Sequence, residues 1–186
     1  MQNKIDQTKF NAISAKILHR KAKNYYDNLN NLLLVLTLIV PLLFIIAQYV
    51  TIGTDYEILI NTISFILSIL LLAVSFLSLI YKVGDKILIH KMGLKNNIYI
   101  ANECDNISKL SEKEQEWFFR YVTEMDNNDN DTFANISEKD KRNAYRDSLK
   151  EFQHGNYTIK CPHCNSSPWN YKPGDCQLCG NTKQTK

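Results

Sequence analysis

From Leu32 to Val50 the chain reads LLLVLTLIVPLLFIIAQYV, and from Ile58 to Ile80 it reads ILINTISFILSILLLAVSFLSLI, with no charged residue in either run. Wound as helices these runs reach about 28 Å and about 34 Å, against a hydrocarbon core about 30 Å thick. Between them lies the polar stretch TIGTDYE, where Gly53 and Asp55 suit a turn. A buried helical hairpin in a water-soluble core is the competing reading. Two uncharged runs of this length, back to back, favour a transmembrane hairpin over 32–80, with spans 32–50 and 58–80. Lys16, Arg20, Lys21 and Lys23 precede the first span, Lys82, Lys86, Lys91 and Lys95 follow the second, and the loop carries Asp55 and Glu57 without a basic residue. The positive-inside rule then predicts both termini in the cytoplasm and the Thr51–Glu57 loop outside.

A polar stripe runs through the second span. Asn61, Ser64, Ser68, Leu71, Ser75 and Ser78 recur at steps of three and four, and in the first span Thr37, Pro41, Phe44 and Gln48 do the same. Pro41 also removes the amide that would bond the Thr37 carbonyl, which predicts a kink or a bound water there. Small and polar residues on one stripe let membrane helices approach and bond across the interface. Thr37, Pro41, Gln48, Asn61, Ser64, Ser68, Ser75 and Ser78 are therefore candidate seam residues, for packing within a hairpin or homo-oligomer, or for the lining of a pore. No ionisable group lies within either span, which argues against proton- or ion-coupled transport.

The flanking segments read as cytoplasmic helices. Residues 1–31 place Phe10, Ile13 and Ile17 on one side of an amphipathic helix that either lies on the membrane surface or extends the first span. Residues 81–153 form a helical region. Its first part carries Ile87, Leu88, Met92, Leu94, Ile98 and Ala101, interrupted by Gly93. Ser111 with Glu114 makes a capping box for a helix burying Trp117, Phe118, Tyr121, Val122 and Met125, and Ser137 starts another. Between these two, DNNDNDT places Asp126, Asn128 and Asn130 like the start of a calcium loop. Asp131 stands where the glycine belongs and Ser137 where the bidentate Glu belongs, so it reads as a solvated linker.

The last segment, 154–186, holds Cys161, Cys164, Cys176 and Cys179. Cys161-Pro-His-Cys164 and Cys176-Gln-Leu-Cys179-Gly180 present two thiolate hooks separated by eleven residues. Two such hooks complete a tetrahedral four-sulfur site, and four thiolates leave no open position for a substrate. A small C-terminal zinc ribbon holding a structural Zn²⁺ on Cys161, Cys164, Cys176 and Cys179 is expected, with a hairpin turning at Pro173-Gly174 around Trp169 and Tyr171. A rubredoxin-type iron site uses the same hooks and stays open beside zinc. Disulfides would need an oxidising compartment, which the topology denies these residues. His154 and His163 read as bystanders, and the solitary Cys104 as a small buried hydrophobe. Lys160, Lys172, Lys183 and Lys186 around Tyr157, Trp169 and Tyr171 suit nucleic acid as a partner; a protein-docking knob, or simple stabilisation of the tail, fits them as well.

Composition adds little. The chain has 186 residues, 45% of them hydrophobic, and a net charge of +3 that is too small to argue for nucleic acid alone. Its mean hydropathy of −0.28 averages two unlike halves and describes neither. Abundant Asn, Lys, Ile and Tyr hint at an AT-rich bacterial genome, and taken with the two spans read above this gives a multi-pass protein of the bacterial inner membrane as the expected location. The polar start MQNKIDQTKF predicts no secretory signal, and neither Gln2 nor the terminal NTKQTK fits a lipidation motif. No nucleophile elbow, phosphate-binding glycine loop or carboxylate pair beside a His is present, so a non-enzyme is expected.

The spacing CxxC-x₁₁-CxxC, on Cys161, Cys164, Cys176 and Cys179 at the end of a small two-span chain, resembles the bacterial mobilome CxxCx(11)CxxC proteins of mobile genetic elements. The plan of basic helix, membrane hairpin and cytoplasmic helices is similar to SLATT-type two-transmembrane effector domains. That resemblance implies a membrane-perturbing effector in a conflict or anti-phage defence system, fired by a cytosolic sensor partner. The residues also allow a membrane-tethered zinc-ribbon adapter that recruits nucleic acid or a protein. The predicted fold class is an all-α membrane protein: a transmembrane hairpin, cytoplasmic helices and a small C-terminal zinc ribbon.

Overall fold

A computed structural model describes residues 2–153 and 155–183; His154 and Lys186 lie outside the described residues. Among the described residues five α-helices follow one another: α1 (Gln2–Thr51), α2 (Glu57–Ile80), α3 (Val83–Glu103), α4 (Glu112–Thr132) and α5 (Glu138–Phe152), with a 3₁₀ turn over Ile107–Lys109 before α4. The described residues contain no β-strand; a single isolated bridge pairs Pro173 with Asn181. The protein is thus all-helical with a cysteine-rich tail. It divides into two compact units, one built from the chain up to Lys21 and from His90 onward, the other from Ala22–Ile89.

The second unit is the hairpin. α1 and α2 are both long and apolar enough to cross a membrane. Gly53, at φ +72°, turns the chain between them, and the Glu57 carboxylate caps the turn by accepting from the Gly53 amide at 2.7 Å. Pro41 sits inside the continuous helix α1. The Thr37 hydroxyl, one turn before it, donates to the carbonyls of Leu33 and Leu34.

In the first unit the buried sides of α1, α3 and α4 meet. Ile5, Ala12 and Ile13 pack with Ile100, Ala101, Cys104 and Ile107 and with Phe118 and Val122. Phe118 is 1% exposed, a burial worth about 1.5–3 kcal/mol. Ser111 closes the expected capping box with Glu114, whose carboxyl is held below its usual range by the Ser111 hydroxyl and amide. Ser137 caps α5 by accepting from the Asp140 amide.

Four local readings change. Gly93 does not interrupt α3, which runs unbroken through it. DNNDNDT is not a linker: it forms the last turns of α4, and the connection to α5 begins only at Phe133. Trp117 is 59% exposed and stacks on Tyr121 rather than entering the core. The buried stripe of α3 is also unlike the apolar one read from the sequence. His90, Asn97, Ile100 and Ala101 are buried on it, with Cys104 just past its end, while Leu88, Met92 and Ile98 face outward.

Candidate metal centre

Each cysteine hook is built twice over, with the same local bonds at a fifteen-residue offset. In the first, the Asn165 amide donates to the Cys161 carbonyl at 2.9 Å and the Cys161 amide to the Ser166 carbonyl at 3.0 Å. In the second, the Gly180 amide donates to the Cys176 carbonyl at 2.8 Å and the Cys176 amide to the Asn181 carbonyl at 3.2 Å. The residue after each second cysteine, Asn165 or Gly180, has φ of +58° or +71°. Asn and Gly are the residues that take this left-handed conformation most readily. The turn so formed aims main-chain amides at sulfur. Cys161 receives the amides of His163 and Cys164, Cys176 those of Leu178 and Cys179, Cys164 that of Ser166, and Cys179 that of Asn181.

The two hooks face each other. The four sulfurs lie within 4.8 Å of one another, Cys161 Sγ 3.9 Å from Cys176 Sγ and Cys164 Sγ 3.4 Å from Cys179 Sγ. A disulfide needs about 2.05 Å, so the cysteines are unpaired. Four metal–thiolate bonds of about 2.3 Å in tetrahedral array put sulfurs about 3.8 Å apart. The cluster fits one metal ion bonded to all four.

Electrostatics favour the same conclusion. Burial pushes all four thiols up. Hydrogen bonds from the Ser166 hydroxyl and amide pull Cys164 down to about 7, and the Cys179 and Leu178 amides lower Cys176. For Cys161 and Cys179 burial dominates and the thiols stay raised. A cation among the sulfurs removes that cost, since a coordinating thiol is deprotonated outright. His163 Nδ1 approaches Cys176 Sγ at 3.6 Å, a neighbour of the cluster rather than a fifth sulfur-like vertex.

The tail is held together and held down by residues the sequence did not single out. Asn181, 1% exposed, accepts from the Lys172 amide at 2.9 Å and donates to the Ser167 carbonyl. The Ser166 hydroxyl bonds the Thr182 carbonyl at 2.6 Å. Gly174 passes so close to Thr182 that a Cβ there would lie 2.4 Å from its main chain. The antiparallel bridge of Pro173 with Asn181 turns through the second hook, so the expected turn at Pro173-Gly174 is corrected. Trp169 and Tyr171, 42% and 50% exposed, line the outside of the tail and do not form its core. Instead the cysteines pack on Leu149, Phe10, Tyr145 and Ile159. Arg146 donates to the Cys179 carbonyl at 2.8 Å while its guanidinium covers the Tyr171 ring at 3.8 Å. The chain belongs to the mobilome CxxCx(11)CxxC protein family, whose family model matches residues 2–182. The match takes in the helices as well as the tail. Neither a curated protein nor a solved structure matches the chain.

The seam residues divide into two groups. Ser64 is buried and Ser75 and Ser78 are half-buried, whereas Thr37, Pro41, Gln48, Asn61 and Ser68 are exposed. Ser68 and Ser75 hydroxyls bond back to the carbonyls of Ser64 and Leu71. A second polar cluster in the first unit has no counterpart in the sequence reading. His19 Nε2 lies 2.8 Å from Asp129 Oδ1, His19 Nδ1 lies 3.0 Å from His90 Nδ1, and Asn97 donates to Asp129 at 2.7 Å. Gly93 makes room for the His19 ring, which a Cβ would meet at 2.3 Å. Four polar residues scattered over three helices carry no sequence signature.

Proposed function

We propose that this mobilome protein is a two-span protein of the bacterial inner membrane, both termini cytoplasmic, that acts as a membrane-perturbing effector. The observation that carries this reading is the surface of the second unit. Leu38, Ile45, Ile58, Phe65 and Leu79 stand 66%, 64%, 81%, 67% and 73% exposed. An apolar surface of that extent is matched by lipid hydrocarbon and not by water. On the same uncovered surface the Gln48 and Asn61 side chains have no hydrogen-bond partner among the described residues. In hydrocarbon an unpaired amide drives helices together until it finds a partner. Hairpins therefore associate through Thr37, Pro41, Gln48, Asn61 and Ser68, while Ser64, Ser75 and Ser78 serve packing within each hairpin. The role is non-enzymatic, the metal is a structural Zn²⁺ that fastens the tail onto α5, and a cytosolic sensor supplies the trigger in a mobile-element or anti-phage defence system.

Induction of the full chain in cells, together with its genomic neighbours, should collapse the membrane potential followed with a voltage-sensitive dye. An unchanged potential at full expression would overturn the effector reading. A second reading, a membrane-tethered adapter for nucleic acid or a protein, is supported by Tyr157, 74% exposed and 5.1 Å from the Trp169 ring, with Lys150 over the Trp169 face. Replacing 32–80 by an unrelated two-span anchor separates the two: an adapter keeps its activity and an effector loses it.

A further inference from the structure

Where the two charge-free runs begin and end along the chain, at Leu32 and Ile80, the second unit opens a groove of about 340 Å³. Leu29, Leu33, Val74 and Leu77 supply its apolar lining. Tyr26, Tyr81 and Lys86 line it too, and the Lys86 ammonium stands 5.3 Å from the centre of the Tyr26 ring and 5.9 Å from that of Tyr81. Lys86 is half-buried and makes no ion pair among the described residues, whereas nearby Lys23 is engaged by Asp27. A cation held between two aromatic faces, with apolar walls leading away from it, is a site for a molecule that is anionic at one end and hydrocarbon at the other.

We propose that this groove binds one anionic phospholipid. Its phosphate sits at Lys86, and an acyl chain lies along Leu29, Leu33, Val74 and Leu77. The tyrosines stand at headgroup level, where aromatic belts form. The positive flanks of both spans put the groove at the leaflet whose lipids carry negative charge. The site rests on the two-span reading given above, because only a bilayer delivers such a ligand to it.

The test uses the full chain, extracted from membranes and presented with equal amounts of phosphatidylglycerol and phosphatidylcholine of identical acyl chains, retained lipid being counted by native mass spectrometry. Wild type should retain phosphatidylglycerol with a preference of at least about fivefold, the effect of one cation at the headgroup. Lys86→Gln should bring the preference close to unity, Lys86→Arg should keep it, and Lys91→Gln, outside the groove, should leave it unchanged. Leu33→Trp fills the groove without changing charge and should lower retention of both lipids. Equal retention by wild type, or an undiminished preference in a helical Lys86→Gln protein, overturns the site. Carbonate washing keeps the readings distinguishable: release of the chain into the soluble fraction overturns the span and the site together. Retention in the membrane without lipid preference overturns the site alone.

Discussion

Two glycines separate what a main chain tolerates from what it forbids. At Gly174 a methyl group would meet the Thr182 main chain at 2.4 Å, and neither segment can retreat without breaking the bond from the Thr182 amide to the Lys172 carbonyl at 2.8 Å. Gly174→Ala should cost about 1–3 kcal/mol, the range for overpacking a tight site. Read by chelator competition, that is a five- to 150-fold or so weaker hold on the metal. Gly84, inside α3, has open space around it. Gly84→Ala, at the second residue of α3, should leave metal retention unchanged. Cys104 needs no comparable device. It is 5% exposed, and burial pushes its thiol up to about 11, so it should stay unmodified by iodoacetamide at pH 8 while the folded chain persists.

Helices α4 and α5 are each started by a serine and an acid together. Ser137 caps α5, and its helix start is tied to α1 by the ion pair of Lys21 with Asp140. Hydrogen bonds from Lys21 and Ser137 hold the Asp140 carboxyl below its ordinary value of 3.8. For a lowered carboxyl the sign is fixed: its stabilisation is fully present above the unfolded value and disappears as pH falls through the folded one. Thermal melts of Asp140→Asn should therefore lie below wild type at pH 7, and the gap should close as pH falls below 3.8 through the lowered folded value. Ser137→Ala removes the cap at any pH and should cost about 1 kcal/mol. In the hairpin, buried Ser64 and exposed Asn61 are three residues apart yet should fail differently. Ser64→Leu crowds the packed side of α2 and should loosen the hairpin itself. Asn61→Leu combined with Gln48→Leu should spare the hairpin and abolish its chemical crosslinking into oligomers.

At the scale of the whole molecule the metal is expected to act as a fastener. The cysteines share a packed cluster with Leu149 and with Phe10 and Tyr145, whose rings meet edge to face at 5.0 Å. Chelation, or Cys161→Ser, should release the tail and expose Tyr145 and α5. Binding of a structural ion carries about 10–16 kcal/mol of folding free energy at neutral pH in small zinc domains. Limited proteolysis should then cut between Phe152 and Lys160 in the stripped protein and leave the apolar runs over 32–50 and 58–80 uncut. Persistence of the tail at wild-type resistance after complete metal removal would show that α5 alone holds it.

The linear chain determined those features whose cause is local. Two uncharged runs announce helices of membrane length because hydropathy is a sum over neighbours. Ser111 with Glu114 announces a cap because both partners lie within one turn. The hooks announce a metal because Cys161 with Cys164, and Cys176 with Cys179, each need only one tight turn to bring sulfurs together. Tertiary structure alone decided what depends on partners far apart in sequence. It made His90, Gly93 and Asn97 the covered side of α3, since His19, 71 positions from His90, and Asp129, 32 positions from Asn97, supply the polar partners that repay burial. It kept DNNDNDT helical because Asp129 is anchored from α1 and α3. It also split one polar stripe into a covered half and an outward half, because which side of α2 is covered depends on where α1 lies, and no periodicity along α2 contains that information.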